Sequence, residues 1–256
     1  MQISDIEQAP NLVALFFRRA AERGDTPMLW AKRDGKWTSI SWSEAATRVC
    51  LLAEGLRTLG LNDGDRVMLV GDNSPEWCIA DLAIMAAGCI TVPAYTTNTE
   101  RDHLHVVENS GARAAIVANV KLAKPLLSAM LRAGTAGHVI GIEELRHSQE
   151  GAIAYHTVAG LSSGDPATAR AAVDARIAGI KQDDLACIIY TSGTGGSPRG
   201  VMQHHGALLD NVGGAARIIS EDFGWGDEVF LSFLPVSHAL EHTGGQFFPI
   251  GLGAQI

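Results

Sequence analysis

Hydrophobic positions along the chain follow two periods, one typical of helices and one typical of short buried strands. After Ser41, apolar residues recur at intervals of three and four. They are Val49, Leu52, Ala53, Leu56 and Leu59. This spacing predicts an amphipathic helix that ends near Gly60. The apolar run at 66–70 is continuous and short, as expected of a strand buried on both faces.

Capping residues and glycines indicate where the predicted helices begin and end. Three helices carry such signals: one capped by Asn11 that runs to Arg23 before Gly24, one opened by a Ser41 and Glu44 capping box, and one opened by Ser74 and Pro75 that reaches Gly88. Further helices are predicted at 100–109, 120–132 and 206–219, and further strands at 90–92, 114–118, 138–140 and 185–189. This alternation of strands and helices predicts an α/β fold with a parallel sheet.

The pattern weakens in the second half of the chain. Between residues 145 and 180, small and polar residues replace the β-branched ones, which predicts a loosely organised connection with one short helix. An apolar strand is predicted at 229–234, where a proline follows it. Residues 247–256 form a further strongly apolar run.

Composition and charge narrow the classes of function. The 256 residues are 46% hydrophobic and carry a formal net charge of −8 without any Lys/Arg-rich run, which argues against a nucleic-acid-binding surface. The cysteines lie singly in apolar segments, as expected of reduced core thiols in a cytoplasmic protein. They are Cys50, Cys78, Cys89 and Cys187. The longest apolar stretch, 82–90, is too short to span a bilayer.

A segment rich in glycine and hydroxyl groups follows the strand predicted at 185–189. It has the sequence YTSGTGGSPRG over residues 190–200. Glycine lets backbone N–H groups approach an anion, Ser192 and Thr194 add hydroxyl donors, and Arg199 adds a positive charge. A Walker loop would need Lys followed by Ser or Thr after its last glycine. The segment therefore predicts a polyphosphate-binding loop of another kind, with a merely flexible loop as the alternative.

This segment resembles the phosphate-binding signature YTSGTTGxPKG of the adenylate-forming (AMP-binding) superfamily, which includes acyl-CoA synthetases, luciferases and peptide-synthetase adenylation domains. The resemblance implies that seven residues hold ATP. They are Thr191, Ser192, Gly193, Thr194, Gly195, Gly196 and Arg199. Gly195 replaces the usual second Thr, which removes one hydroxyl donor. Arg199 replaces the usual Lys and keeps its charge. The change at Gly195 is therefore expected to affect the tightness of ATP binding more than the change at Arg199.

Two further segments support this resemblance. Residues 66–77, RVMLVGDNSPEW, resemble a strand and an asparagine-containing turn common in the superfamily. Residues 230–242, FLSFLPVSHALEH, resemble its LPxxH segment, whose aromatic or His residue lies beside the substrate carboxylate and the α-phosphate. The resemblance assigns this catalytic position to His238. A neutral imidazole can donate to a carboxylate or phosphoryl oxygen or close a tunnel as a flat gate; the alternative is a packed or solvated histidine.

The other histidines are expected to have structural roles. His242 lies four residues beyond His238, but the HExxH order is missing, so no metal ligands are assigned. His205 aligns with a His that continues the superfamily signature, and we expect it to begin the helix at 206–219. A solvated helix face is expected for His103 and His105.

The resemblance also implies a reaction. A carboxylic acid is unreactive toward a thiol, so members of the superfamily clamp ATP and align the carboxylate for in-line attack on the α-phosphorus. ATP, Mg²⁺ bridging its phosphates, and coenzyme A as co-substrate are implied. The FLPxSHxxE pattern with the following GGQFFP run looks most like the long-chain fatty-acyl-CoA ligase branch. An acid–thiol ligase with a fatty-acid substrate is therefore expected, with peripheral membrane contact where such lipids reside.

The domain organisation expected from the resemblance is the N-terminal portion of an adenylation domain with doubly wound, mostly parallel sheets and flanking helices. Residues 66–220 would form one α/β subdomain, and 1–65 with 221–256 part of a second. In the superfamily the metal-binding glutamate motif and the C-terminal lid domain with its catalytic lysine come later. Residues 1–256 are thus expected to be incomplete and inactive alone. Apolar surface at 229–234 and 247–256 would favour homo-oligomers.

Two alternative functions stay open at this stage. A non-catalytic nucleotide-binding module is suggested by Gly195 and by the incomplete domain. A fatty acyl-AMP ligase that transfers the acyl group to a carrier protein instead of coenzyme A is equally compatible with these residues. The acyl chain length and the oligomeric state are also left open.

Overall fold

A computed structural model describes residues 3–135, 137–145, 153–191, 197–224 and 226–256, without the side chains of residues 4 and 223. The described helices are α1 (Ile3–Glu7), α2 (Leu12–Arg23), α3 (Trp42–Thr58), α4 (Pro75–Ala86), α5 (Glu100–Ser110), α6 (Val120–Arg132), α7 (Val158–Leu161), α8 (Pro166–Ile177), α9 (His205–Phe223), α10 (Ala239–Glu241) and α11 (Phe248–Leu252), with a π-helix at His242–Phe247. The strands are β1 (Pro27–Arg33), β2 (Lys36–Ser41), β3 (Arg66–Val70), β4 (Ile90–Ala94), β5 (Ala114–Val117), β6 (His138–Gly141), β7 (Ala154–Thr157), β8 (Leu185–Thr191) and β9 (Arg199–His204).

Seven of the described strands form one sheet in the order β7-β6-β5-β3-β4-β8-β9, and β1 pairs with β2 in a separate hairpin. All neighbours in the large sheet are parallel except β8 and β9. After β3 the chain forms β4 on one side and then returns to form β5 on the other. Helices cover both faces: Val67 and Leu69 pack with α3 and α4, whereas Met68 and Val70 pack with α5 and α6. The predicted doubly wound, mostly parallel α/β fold is confirmed.

The three predicted capping residues each accept from a helix N–H group, but only the Ser41 half of the capping box predicted at Ser41 and Glu44 is formed. Asn11 Oδ1 accepts from the backbone N–H of Ala14 at 2.8 Å, and Ser74 Oγ accepts from that of Trp77 at 3.2 Å. Ser41 Oγ caps α3 in the same way by accepting from the backbone N–H of Glu44 at 3.2 Å. The carboxylate of Glu44 bonds to Arg48. Each cap supplies an acceptor to a helix N–H that has no intrahelical partner.

The prediction of one short helix in a loose connection is wrong for the described part of residues 145–180. Strand β7 extends the sheet, and two helices follow it. The second, α8, buries Ala169, Val173 and Ile177 against the core that contains α3. Its buried face has helical four-residue spacing, but alanine makes that face small and hides the apolar pattern.

The two C-terminal predictions fare differently. Residues 229–234 do not form the predicted strand beyond one bridge between Val229 and Gln255, and Leu231 and Phe233 are 76% and 73% exposed. The run at 247–256 was expected to form exposed apolar surface, and this prediction is wrong. Phe247, Phe248 and Ile250 are buried. The run forms the end of the π-helix and α11, which packs on α2 and α9. No described helix is long and apolar enough to cross a membrane.

Close packing of α3 on α7 generates a prediction. A Cβ at Gly55 would lie 2.3 Å from the carbonyl oxygen of Leu161. Exchange of a helical glycine for alanine ordinarily stabilises by about 1 kcal/mol, but here the clash should dominate. We expect Gly55→Ala to lower the free energy of unfolding by about 1–3 kcal/mol in urea titrations.

Gly214 in α9 is the matched control, because a Cβ there would meet no described atom within 4 Å. Gly214→Ala should raise the free energy of unfolding by about 0.5–1 kcal/mol. Equal responses of the two variants would contradict this packing of α3 against α7.

Candidate functional site

The predicted phosphate loop connects β8 to β9. Thr191 ends β8, Arg199 begins β9, and the two residues pair across this antiparallel hairpin. Both are exposed at the carboxyl end of β8, the edge at which ligands bind open α/β sheets. A hydroxyl group and a guanidinium group are therefore available there to an anion. The other predicted ligands lie outside the described residues, and their roles stay predictions: Ser192, Gly193, Thr194, Gly195 and Gly196.

Asn73, in the turn after β3, holds the segment that leads to His238. Its Nδ2 donates to Ser232 Oγ and to the carbonyl oxygen of Leu234, both at 2.7 Å, and its Oδ1 accepts from the backbone N–H of Val236 at 3.1 Å. The sequence indicated an asparagine-containing turn but no partner for it. The partners are 159 to 163 residues away, so no local pattern contains them.

His238 is exposed and caps the one-turn helix α10. Its Nδ1 accepts from the backbone N–H of Leu240 at 3.2 Å. Because Nδ1 accepts, the proton of the neutral ring lies on Nε2, from which it can be donated to a carboxylate or phosphoryl oxygen. The predicted catalytic position of His238 stays a prediction, and this tautomer is compatible with it.

A buried ion pair fixes the π-helix to α4. His242 Nε2 lies 2.8 Å from Asp81 Oδ2, and Gln246 Nε2 donates to the same oxygen at 2.6 Å. Burial by itself lowers the pKa of His242, but the charge and hydrogen bond of Asp81 outweigh it and raise that pKa above its ordinary value. The lone acid Asp81 within the apolar sequence IADLAIMAA is the signal that could have predicted this pair, because a buried carboxylate requires a partner.

No three or more His, Cys, Asp or Glu side chains of the described residues are grouped so that they could hold a metal ion. The four cysteines are free and buried. Burial raises the pKa of Cys50 and of Cys89 to about 12, which suppresses the thiolate that would bind a metal.

Three other histidines are buried or half-buried. His103 is 1% exposed, so its predicted place on a solvated face is wrong; the face of α5 that carries it packs into the core around α6. His105 is half-buried and bonds to the carbonyl oxygen of Pro198, so its predicted place is also wrong. His205 begins α9, close to the predicted start, and its Nδ1 accepts from the backbone N–H of Leu12 at 3.4 Å.

A cleft of about 850 Å³ lies between the β1–β2 hairpin, the start of α4 and residues 229–232. Asn73 and Ser232, which are joined by the hydrogen bond described above, are part of its wall. Most of the wall is apolar and includes Trp30, Trp37, Trp77 and Leu231. The cleft was not predicted, because its walls come from stretches that lie far apart in the sequence.

The model of the AMP-binding enzyme family matches residues 16–256. The chain therefore belongs to this adenylate-forming family. The long-chain-fatty-acid–CoA ligase FadD15 of Mycobacterium tuberculosis is 33% identical over 233 residues, which are 90% of this chain and 37% of that relative. The human long-chain-fatty-acid–CoA ligase ACSBG2 is 28% identical over 253 residues, 96% of this chain and 37% of the relative. The chain thus spans little more than a third of these relatives.

Solved structures share the fold. The fatty acyl-adenylate ligase of Legionella pneumophila, in complex with acyl adenylate and pyrophosphate, aligns with 98% of this chain and 39% of its own at a TM-score of 0.72 and 24% identity. The A-PCP didomain of carboxylic acid reductase from Segniliparus rugosus, in complex with AMP, aligns with 99% of this chain and 40% of its own. The TM-score is 0.78 and the sequence identity is 19%. These likenesses confirm the predicted adenylation-domain architecture.

The buried histidines generate a pH prediction. Burial lowers the pKa of His103 and of His205 to about 4, below the ordinary value of 6.5. Between these two pKa values the unfolded chain binds more protons than the folded chain. The free energy of unfolding should therefore fall as the pH falls from about 6.5 to 4, by up to about 1.4 kcal/mol per pH unit for each histidine. Urea titrations of His103→Gln and His205→Gln across this range should each show a flatter pH profile. Wild-type slopes in both variants would contradict it.

The Asp81 and His242 pair generates a prediction about partner loss. Asp81→Leu should lower the free energy of unfolding by about 3–5 kcal/mol, because it leaves His242 buried without its counter-ion. The double variant Asp81→Leu with His242→Phe should be more stable than Asp81→Leu alone, since neither side chain then carries a charge. Thermal unfolding of Asp81→Leu, His242→Phe and the double variant measures the coupling energy between the two side chains. Additive effects would show that the two side chains do not form an ion pair.

Proposed function

We propose that this chain is the nucleotide-binding, N-terminal part of an enzyme that activates a fatty acid with ATP and transfers the acyl group from its adenylate to coenzyme A. The observation that carries the proposal is the pairing of Thr191 with Arg199 at the carboxyl end of β8, in a chain of the AMP-binding enzyme family. A hydroxyl and a bidentate cation at the stems of a glycine-rich loop suit polyphosphate oxygens.

In this proposal Thr191, Arg199 and residues 192–196 bind the phosphates of ATP. Mg²⁺ bound together with ATP would supply positive charge that stabilises the charge developing on the phosphates. His238 would donate from Nε2 to the acyl carboxylate or the α-phosphate, which stabilises the charge that develops during attack. We retain the division into a subdomain at 66–220 and a second one formed by 1–65 and 221–256 as part of the proposal.

The apolar cleft supports a fatty-acid substrate. Trp30, Trp37 and Leu231 offer an apolar wall beside the segment that Asn73 holds, and burial of each methylene group there would contribute about 0.8 kcal/mol. A substrate of this kind partitions into membranes. We therefore propose peripheral contact with membranes. A cytoplasmic location, and self-association through the exposed Leu231 and Phe233, are further parts of the proposal.

The proposed acceptor of the acyl group is coenzyme A. Coenzyme A is favoured because FadD15, named as a CoA ligase, is 33% identical. The relative AEE15 of Arabidopsis thaliana, named as a long-chain-fatty-acid–[acyl-carrier-protein] ligase, is 27% identical over 90% of this chain. Transfer to a carrier protein is therefore the second candidate.

The charge of Arg199 gives the proposal its sharpest test. Arg199→Ala should weaken ATP binding by about 10- to 100-fold, equivalent to about 1.5–3 kcal/mol for charge-assisted hydrogen bonds, and leave fatty-acid binding unchanged. Isothermal titration with ATP and with palmitate measures both. Lys181→Ala is the matched control, because Lys181 is exposed near the opposite end of β8 and its loss changes the net charge equally.

Equal losses for ATP and palmitate in Arg199→Ala would show that the residue does not face the phosphates. Hydroxamate trapping of activated palmitate, with ATP and Mg²⁺, tests the chemistry itself. Since the chain spans 37% of FadD15, we expect ATP binding without adenylate turnover at the rate of an intact ligase. Absence of ATP binding by the wild-type chain would overturn the proposed function.

A further inference from the structure

Helix α5 contacts both strands that carry the phosphate loop. His105 Nε2 lies 2.7 Å from the carbonyl oxygen of Pro198, and its ring packs edge-on against Tyr190 with centroids 6.0 Å apart. A carbonyl oxygen only accepts, so Nε2 carries the proton and donates it. Pro198 directly precedes Arg199, and this hydrogen bond therefore holds the backbone next to the cation.

Tyr190 makes the corresponding contact on the other strand. Its hydroxyl group donates to Asn109 Oδ1 at 2.7 Å, and Tyr190 directly precedes Thr191. The ring lies over its cross-strand partner Gly200, where a Cβ would come within 3.1 Å of the Tyr190 Cζ atom and 2.8 Å of the Ile188 Cγ2 atom. Glycine at position 200 thus allows the ring to cross the hairpin to α5.

Helix α5 is a firm support for these contacts. Thr99 and Asp102 form a reciprocal capping box at its start, and Gly111 ends it in the left-handed conformation. Its Val106 and Val107 are buried in the core shared with α6. The side chains of His105 and Asn109 project from this anchored helix one turn apart.

We propose that His105, Asn109 and Tyr190 form a clamp on the stems of the phosphate loop, and that His105 is a positioning residue for ATP. The inference rests on the proposed function and deepens it. The clamp holds the residues adjacent to Thr191 and Arg199, the two described groups that face the phosphates. A loop whose stems are already held loses less conformational freedom when the nucleotide binds.

The test compares four variants of the whole chain by isothermal titration with ATP. His105→Leu removes the donor and should raise the Kd about fivefold to tenfold, as expected for one lost hydrogen bond. His105→Gln keeps an N–H donor and should stay within about twofold of wild type. Tyr190→Phe removes the bond to Asn109 and should raise the Kd about fivefold. Glu108→Leu, at an exposed position of the same helix, should leave the Kd unchanged.

A second measurement does not depend on the nucleotide. Without ATP, the backbone amides of residues 199–202 should exchange hydrogen faster in His105→Leu than in wild type, at an unchanged thermal midpoint. Wild-type Kd and wild-type exchange in His105→Leu would overturn the clamp. Loss of ATP binding accompanied by a lowered midpoint, and not rescued by His105→Gln, would show a merely structural role and also overturn it.

Failure of the clamp and failure of the proposed function are distinguishable. If the wild-type chain binds no ATP, the proposed function fails, whereas the exchange of residues 199–202 still decides whether α5 holds the hairpin. If His105→Leu does not fold, Tyr190→Phe decides in its place, because it removes the hydrogen bond to Asn109 at nearly constant volume. Wild-type exchange in Tyr190→Phe would then overturn the clamp.

Discussion

Strands β3, β4 and β5 bury their side chains on both faces of the sheet, and the polar residues of the candidate site lie around this apolar core. Within these strands the backbone groups pair with neighbouring strands, since an unpaired polar group in such a core is costly. Asn73, Thr191 and Arg199 accordingly lie in a turn or at a strand end. Asn73 follows β3 at the same edge at which Thr191 ends β8, although the two residues are far apart in sequence.

The same penalty on unpaired polar atoms links the C-terminal segments to the sheet. Asp81 would be an uncompensated charge in the core without His242 and Gln246. Asn73 satisfies its amide by holding Ser232, Leu234 and Val236. Together these contacts anchor the chain on both sides of His238, while His238 itself is exposed. The candidate catalytic histidine is thus presented by a segment whose two ends are held in place.

The predicted phosphate-binding part of the candidate site follows a related principle. A glycine-rich loop suits phosphate oxygens because its backbone can approach them, but the same freedom makes its ordering costly. The hairpin of β8 and β9 fixes the two ends of the loop relative to each other. Both strands of the hairpin belong to the seven-stranded sheet, and helix α5 contacts the loop end of the hairpin through His105 and Tyr190.

The sequence by itself determined the elements whose signals are local. The capped helices at Asn11, Ser41 and Ser74 and strand β3 all depend on residues a few positions apart, and the family signature is equally local. Tertiary structure decided the conformation of residues 247–256, the burial of His103, and the partners of Asn73, Asp81 and His105. These partners lie 93 to 165 residues away, so they depend on which faces the folded sheet brings together. The physical reason is that periodicity and capping act over one or two turns of chain, whereas burial and the pairing of buried polar groups are set by the packed core.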